Sequence, residues 1–186
     1  MARCLANLVL RLCGWRAVFT PPPGPKTVVL VYPHTSNWDF PLGMLFRFRC
    51  GIGFYWAGKD SLFRPPFGGL FRLLGGIPIN RRAPNGTIAR LTQAFAEQDT
   101  IHLCIAPEGT RARAEHWKSG FYHLARTVRV PIGLGFIDYR EKCLGIERWI
   151  ELSGDRDADL AVIRAYYADK SALRVEQASP ICFRAD

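Results

Sequence analysis

Acidic residues are scarce in this chain, closely paired cysteines are absent, and no apolar run is long. Against 25 lysines and arginines stand only 16 aspartates and glutamates, a formal charge of +9. That imbalance points to an anionic partner: nucleic acid, an acidic lipid surface or a phosphate-bearing substrate. The six cysteines (Cys4, Cys13, Cys50, Cys104, Cys143, Cys182) are scattered, with none at C-x-x-C spacing. Zinc and dithiol redox sites of that kind are thereby excluded. With no recognisable secretion signal ahead of them, the cysteines read as buried free thiols in a reducing cytoplasm. No window reaches the roughly eighteen apolar residues that a membrane-spanning helix needs. Internal repeats are absent too.

What is present is material for a core. Of 186 residues 48% are hydrophobic, with twelve Phe and five Trp. Such a chain is not disordered in composition, and its length suits one domain rather than two. At the N-terminus, Leu5, Leu8, Val9, Leu12 and Trp15 recur at helical spacing, interrupted by Arg3, Arg11 and Arg16. That pattern fits an amphipathic helix over residues 1–20 that either lies in a membrane interface or docks on the domain. The run TPPPGPK, Thr20 to Lys26, then breaks the composition, and residues 26–186 form the main domain.

Past the break, apolar runs alternate with helical patterns. TVVLVY, GFYWAG, GIPIN, IHLCIA, VPIGLGFI and KCLGIERWIEL read as strands. In GTIARLTQAFAEQ, Ile88, Leu91 and Phe95 share a helical face, and SGFYHLARTV and DADLAVIRAYYADK are further helices. Short apolar strands alternating with helices predict a single α/β domain, a mostly parallel twisted sheet flanked by helices. Ligands of such sheets gather at the carboxyl ends of the strands.

Two motifs begin there. Pro33 and His34 follow TVVLVY, and Ser36-Asn37-Trp38-Asp39 has the S-x-x-D form of a helix N-terminal cap. Asp39 is therefore explained by capping alone. Yet a histidine in the loop and an aspartate in the first turn can also face each other. Asp39 would then fix the tautomer of His34, leaving the other ring nitrogen to remove a proton. After IHLCIA comes Pro107-Glu108-Gly109-Thr110-Arg111, where loop amides, a hydroxyl and a guanidinium fork can converge on an anion. The bland alternative is an ordinary strand-exit turn. GGIPINRR places Arg81 and Arg82 directly after a third apolar run, where an arginine pair is usually a solvated edge.

Together HTSNWD, GGIPINR and PEGTR, in this order, resemble the signature blocks of the 1-acylglycerol-3-phosphate (lysophosphatidate) acyltransferase family, and VPIGLGFI resembles its fourth block. The resemblance covers roughly Thr27 to Ile137. It implies an O-acyltransferase that uses acyl-CoA or an acyl carrier protein as co-substrate, with no metal or other cofactor. It implies His34 as the catalytic base and Asp39 as the carboxylate that orients it. Arg81 and the third block, Glu108, Gly109, Thr110 and Arg111, would bind the acceptor's phosphate. Expected partners are the acyl thioester, a lysophospholipid-type acceptor and an anionic membrane surface, with no nucleic acid. The expected location is cytoplasmic, peripheral on the inner face of the membrane.

Two alternatives stand beside this. One keeps the chemistry and changes the acceptor to a lyso-aminolipid or a hydroxylated metabolite. The other is a non-catalytic basic module that binds membranes or nucleic acid. Against it, the basic residues cluster in the motif blocks, and no RNA-binding signature appears.

Overall fold

Val28, Val29 and Leu30 point alternately to the two sides of one strand, and that alternation builds two cores. The strand is β2 (Lys26–Val31) in a computed structural model that describes residues 1–80 and 84–184. Val28 and Leu30 pack with Leu91, Phe121 and Ile163 on one side, whereas Val29 packs with Leu10, Phe46 and Phe54 on the other. Each fully buried side chain of this size contributes about 1.5–3 kcal/mol relative to exposure. A strand covered on both faces must be apolar throughout, which is why TVVLVY shows no polar alternation.

The described residues form one seven-stranded sheet in the order β1-β7-β6-β2-β5-β3-β4. Its other strands are β1 (Arg16–Phe19), β3 (Phe54–Lys59), β4 (Gly76–Ile79), β5 (Ile101–Ile105), β6 (Ile132–Asp138) and β7 (Cys143–Ile150). All neighbours are parallel except β6 and β7, which pair antiparallel. The architecture is the single α/β domain that the sequence pattern implies. Leu91 and Phe95 come from α4 (Pro84–Glu97), Phe121 and Leu124 from α5 (Gly120–Val128), and Ile163 and Tyr167 from α6 (Arg156–Tyr167), which together cover one face of the sheet. The opposite face carries α1 (Ala2–Leu12), α2 (Asp39–Cys50) and the short α3 (Gly68–Leu73).

The N-terminus differs from the expected helix over residues 1–20. Helix α1 stops at Leu12, Gly14 turns the chain at φ +76°, and residues 16–19 join the sheet as β1 beside β7. A left-handed backbone at Gly14 is the physical reason, since a side chain there would be strained. Of the two readings of the α1 stripe, the face that docks on the domain is a different one. Ala6 and Leu10 are buried, while Leu5, Leu8 and Leu12 remain exposed. No helix among the described residues is long and apolar enough to cross a membrane.

The pairing of β2 with β5 positions the loops of the candidate site. Leu30 lies opposite Ile105 in parallel register, so both strands end at the same edge. The loops that follow, one carrying His34 and the other Glu108, therefore leave the sheet side by side.

Candidate active site

Beyond Val31 the chain passes through Tyr32 and Pro33 to His34, whose backbone N–H donates to Glu108 Oε2 at 2.8 Å. The other carboxylate oxygen, Oε1, accepts the Ser179 N–H at 2.9 Å. Tyr32 adds a third tie, its hydroxyl donating to the Ser179 carbonyl at 3.0 Å. Burial pushes the Glu108 carboxyl above its ordinary value, and the two amide bonds oppose that shift without cancelling it. Burial likewise raises the Tyr32 phenol to about 12, with the Glu108 charge adding to the effect. Glu108 thus holds three segments together: the exits of β2 and β5 and the C-terminal stretch.

Across the turn, Nδ1 of His34 stands 2.9 Å from Asp39 Oδ2. The approach is close but out of line with the ring N–H. Asp39 is buried at the first turn of α2 and makes two further bonds. Its Oδ2 accepts the Ser36 N–H at 3.0 Å, and its Oδ1 accepts the Tyr139 hydroxyl at 2.6 Å. The bond from Ser36 ties the preceding turn to the first residue of α2, and Ser36 Oγ accepts from the Trp38 N–H rather than from Asp39. The S-x-x-D capping expectation therefore differs from the structure: α2 begins after Trp38 with no side-chain cap, and the Asp39 carboxylate ties the preceding turn while it faces the histidine.

Tyr139 follows β6, and nothing in its local sequence marks it. Its phenol is pushed up chiefly by burial and then by the adjacent Asp39 carboxylate, so it remains a donor. The Trp15 ring meets it edge-on at 5.2 Å between centroids. The entrance to β1 thus steadies the residue that steadies Asp39.

His34 and Asp39 open onto a cavity of about 1040 Å³, whose wall also includes Gly109, Thr110 and Arg111. Gly109 takes a left-handed φ of +65°, and a side chain there would press within 2.9 Å of the Lys118 stem. Lys118 lies over this loop, its N–H donating to the Pro107 carbonyl at 2.9 Å, and it too lines the cavity. The Thr110 hydroxyl oxygen accepts the Ala112 N–H at 3.2 Å and shapes the turn that presents Arg111. Glu108 differs from the expectation that it touches an acceptor. Its side chain is buried behind the loop and engaged by backbone amides, outside the cavity wall. Arg81, the other expected anion ligand, lies outside the described residues. Beyond His34 the cavity runs between α2 and the sheet, where Phe46, Phe54, Leu144 and Ile146 make it apolar. One wall suits an anion and the interior suits a hydrocarbon chain.

Comparison with known proteins bears on the family and on the fold. The sequence model of a family described as Acyltransferase matches residues 21–133, more than half of the chain and the stretch that holds His34, Asp39 and the Pro107–Arg111 loop. The fold is similar to the crystal structure of the 1-acyl-sn-glycerophosphate (LPA) acyltransferase, PlsC, from Thermotoga maritima. That likeness has a TM-score of 0.56 at 16% sequence identity and covers 92% of this chain and 80% of that one. A comparison with curated proteins gave no match. At such low identity the structural likeness speaks for the fold alone, and the family rests on the sequence match. On that match, the chain belongs to the acyltransferase family.

Proposed function

We propose that the protein moves a fatty acyl group from a thioester of coenzyme A or of an acyl carrier protein to a hydroxyl of a lysophospholipid-type acceptor. The observation that carries this reading is the His34–Asp39 pair at the mouth of an apolar cavity whose rim is cationic. With Nδ1 turned to Asp39, Nε2 of His34 is the nitrogen left to accept a proton. It removes the acceptor's hydroxyl proton as that oxygen attacks the thioester carbonyl. The tetrahedral adduct collapses, the C–S bond breaks, and the thiolate leaves with the proton carried by the imidazolium. Asp39 balances the positive charge on the ring while it lasts. Arg111 and Lys118 hold the acceptor's phosphate, Arg111 as a planar fork and Lys118 as a point charge. The acyl chain occupies the apolar interior. The reaction runs at the cytoplasmic face of a membrane, where a soluble thioester and a lipid acceptor meet.

Tyr139 and Glu108 act on this chemistry through other residues and are positioning residues. Tyr139 shares the Asp39 charge through its hydroxyl, and Glu108 fixes the backbone that carries the imidazole.

The direct test is to incubate the purified protein with mixed lyso-lipids and a labelled acyl thioester and to identify the product by mass. A diacyl phosphate lipid is expected, and His34→Ala should lower turnover by about a hundredfold or more while melting normally. Near-normal transfer by a well-folded His34→Ala protein would overturn the assignment.

Tyr139→Phe keeps the ring against Trp15 and removes one charge-assisted hydrogen bond. Losing such a bond is expected to lower kcat by about tenfold with little change in KM. The unshared Asp39 charge should also favour the imidazolium more strongly, moving the acid limb of the pH–rate profile upward. A purely structural role for Tyr139 would leave that limb in place.

Glu108→Gln replaces a titrating group by a neutral one with a single acceptor oxygen. Because the native carboxyl sits above its ordinary value of 4.5, the native state holds that proton more tightly than the unfolded chain. The stability associated with it is therefore fully present below pH 4.5 and is lost as pH rises through the elevated value. Denaturant titrations should show wild type losing stability relative to Glu108→Gln from pH 4.5 upward. A pH-independent difference would contradict a raised Glu108.

A further inference from the structure

The two faces of the sheet are dressed differently. On the side of α4, α5 and α6, the large apolar side chains exposed among the described residues are confined to Val162 on α6 and to Leu173 and Val175 beyond it. On the other side every helix carries some. Leu5, Leu8 and Leu12 stand out from α1, with Leu12 at 78% exposure, and Phe48 stands out from α2. Phe67, Leu70 and Leu73 stand out at and within α3, with Leu73 at 80%. None of these is the surface that packs the core, because Leu10, Phe46 and Phe71 serve there.

The three helices form one layer. Helix α1 packs on α2, and Phe40 of α2 meets Phe71 of α3 and Trp56 of β3 at centroid distances of 6.0 and 4.9 Å. The cavity lies beneath this layer, and its rim passes under α3. Phe71 and Leu62 line it, and Leu62 is itself half exposed. Beside His34 and Asp39, Trp38 is 68% exposed.

Charge follows the same division. Residues 1–80, which build this layer and strands β1 to β4, contain nine lysines and arginines against two acidic residues, Asp39 and Asp60. The remaining residues contain sixteen against fourteen. Asp39 is buried, whereas Arg3, Arg11, Arg64 and Arg72 are exposed among the leucines. Scattered apolar side chains between arginines suit a headgroup region, where each leucine enters the acyl boundary and each guanidinium meets a phosphate. A second copy of this chain is a poorer occupant, since two such faces brought together would repel.

We propose that the α1–α2–α3 layer docks on an anionic phospholipid bilayer, with Phe67, Leu70 and Leu73 inserted beside the cavity mouth. Here the acyl-transfer reading supplies only the reason for a bilayer, namely delivery of a lipid acceptor into the cavity from its rim. Leu62 and Phe71 line that path. The N-terminal helix is then one edge of the contact rather than the whole of it. Removing residues 1–20 is unsuited to testing this, because it deletes β1 and the buried Leu10 along with the exposed leucines.

The test uses the full chain and vesicles of phosphatidylglycerol with phosphatidylcholine, read by cosedimentation. Wild type should bind, more weakly at about 1 M salt than at about 0.1 M, without full release, because only the electrostatic part is screened. Leu70→Asp combined with Leu73→Asp should lower the partition coefficient by at least about tenfold. Leu5→Asp combined with Leu12→Asp should also lower it, and Val162→Asp on the opposite face should not. All three proteins should melt as wild type does and should acylate a monomeric short-chain acceptor at the wild-type rate. Wild-type indifference to the vesicles would overturn the proposal, as would normal binding by the α3 variant. So would a dimer that is abolished by the same substitutions in a protein that ignores vesicles. Failure to bind with acyl transfer intact would sink this surface and leave the enzyme assignment standing; binding without transfer would do the reverse.

Discussion

Two backbone amides, those of His34 and Ser179, converge on one buried carboxylate, Glu108. A buried carboxylate is costly unless both oxygens are engaged, and here each accepts one N–H. The bonds join places far apart in sequence because parallel pairing of β2 with β5 brings their carboxyl ends together. Remove the carboxylate and the loop that carries the imidazole loses its anchor. Every other geometric relation in the site depends on where that loop stands.

Asp39 shows a similar economy. Its two oxygens serve the start of α2 through Ser36, the ring of His34, and the hydroxyl of Tyr139. Because Tyr139 leans on Trp15 at the entrance to β1, the sheet edge nearest the N-terminus reaches the His34–Asp39 pair through two side chains. A network of this kind holds the Asp39 carboxylate in place beside the imidazole, the arrangement that the proposed general-base chemistry calls for.

Much of this was legible in the sequence, and the omissions have physical causes. The apolar runs of β2 through β7 announce themselves because buried parallel strands tolerate little polarity. The helices α4, α5 and α6 have one wet face and one dry face, so their period shows. Helix α2 shows its start, through the Ser36-Asn37-Trp38-Asp39 pattern, but not its period, because the sheet covers one side of it and α1 another, and its apolar residues run around its circumference. Strand β1 was hidden by an apolar spacing that continued across the turn at Gly14. At the site, the approach of His34 to Asp39 follows from a loop and a first turn that are neighbours in sequence. Tyr139 and Lys118 come from other segments, and no spacing rule reaches them. Glu108 was legible as important but not as to role, since only burial distinguishes a carboxylate that binds an acceptor from one that holds a backbone.

The central claim is that His34, with Nδ1 turned toward Asp39, presents an unprotonated Nε2 to the cavity. Nitrogen-15 NMR of histidine-labelled protein reads this directly, and His34→Ala identifies the signal among the four histidines. Near neutral pH, Nδ1 is expected at a protonated, pyrrole-like shift and Nε2 at a pyridine-like one, with Asp39→Asn mixing the two tautomers. A wild-type ring protonated on Nε2, or averaging freely between tautomers, would contradict the account.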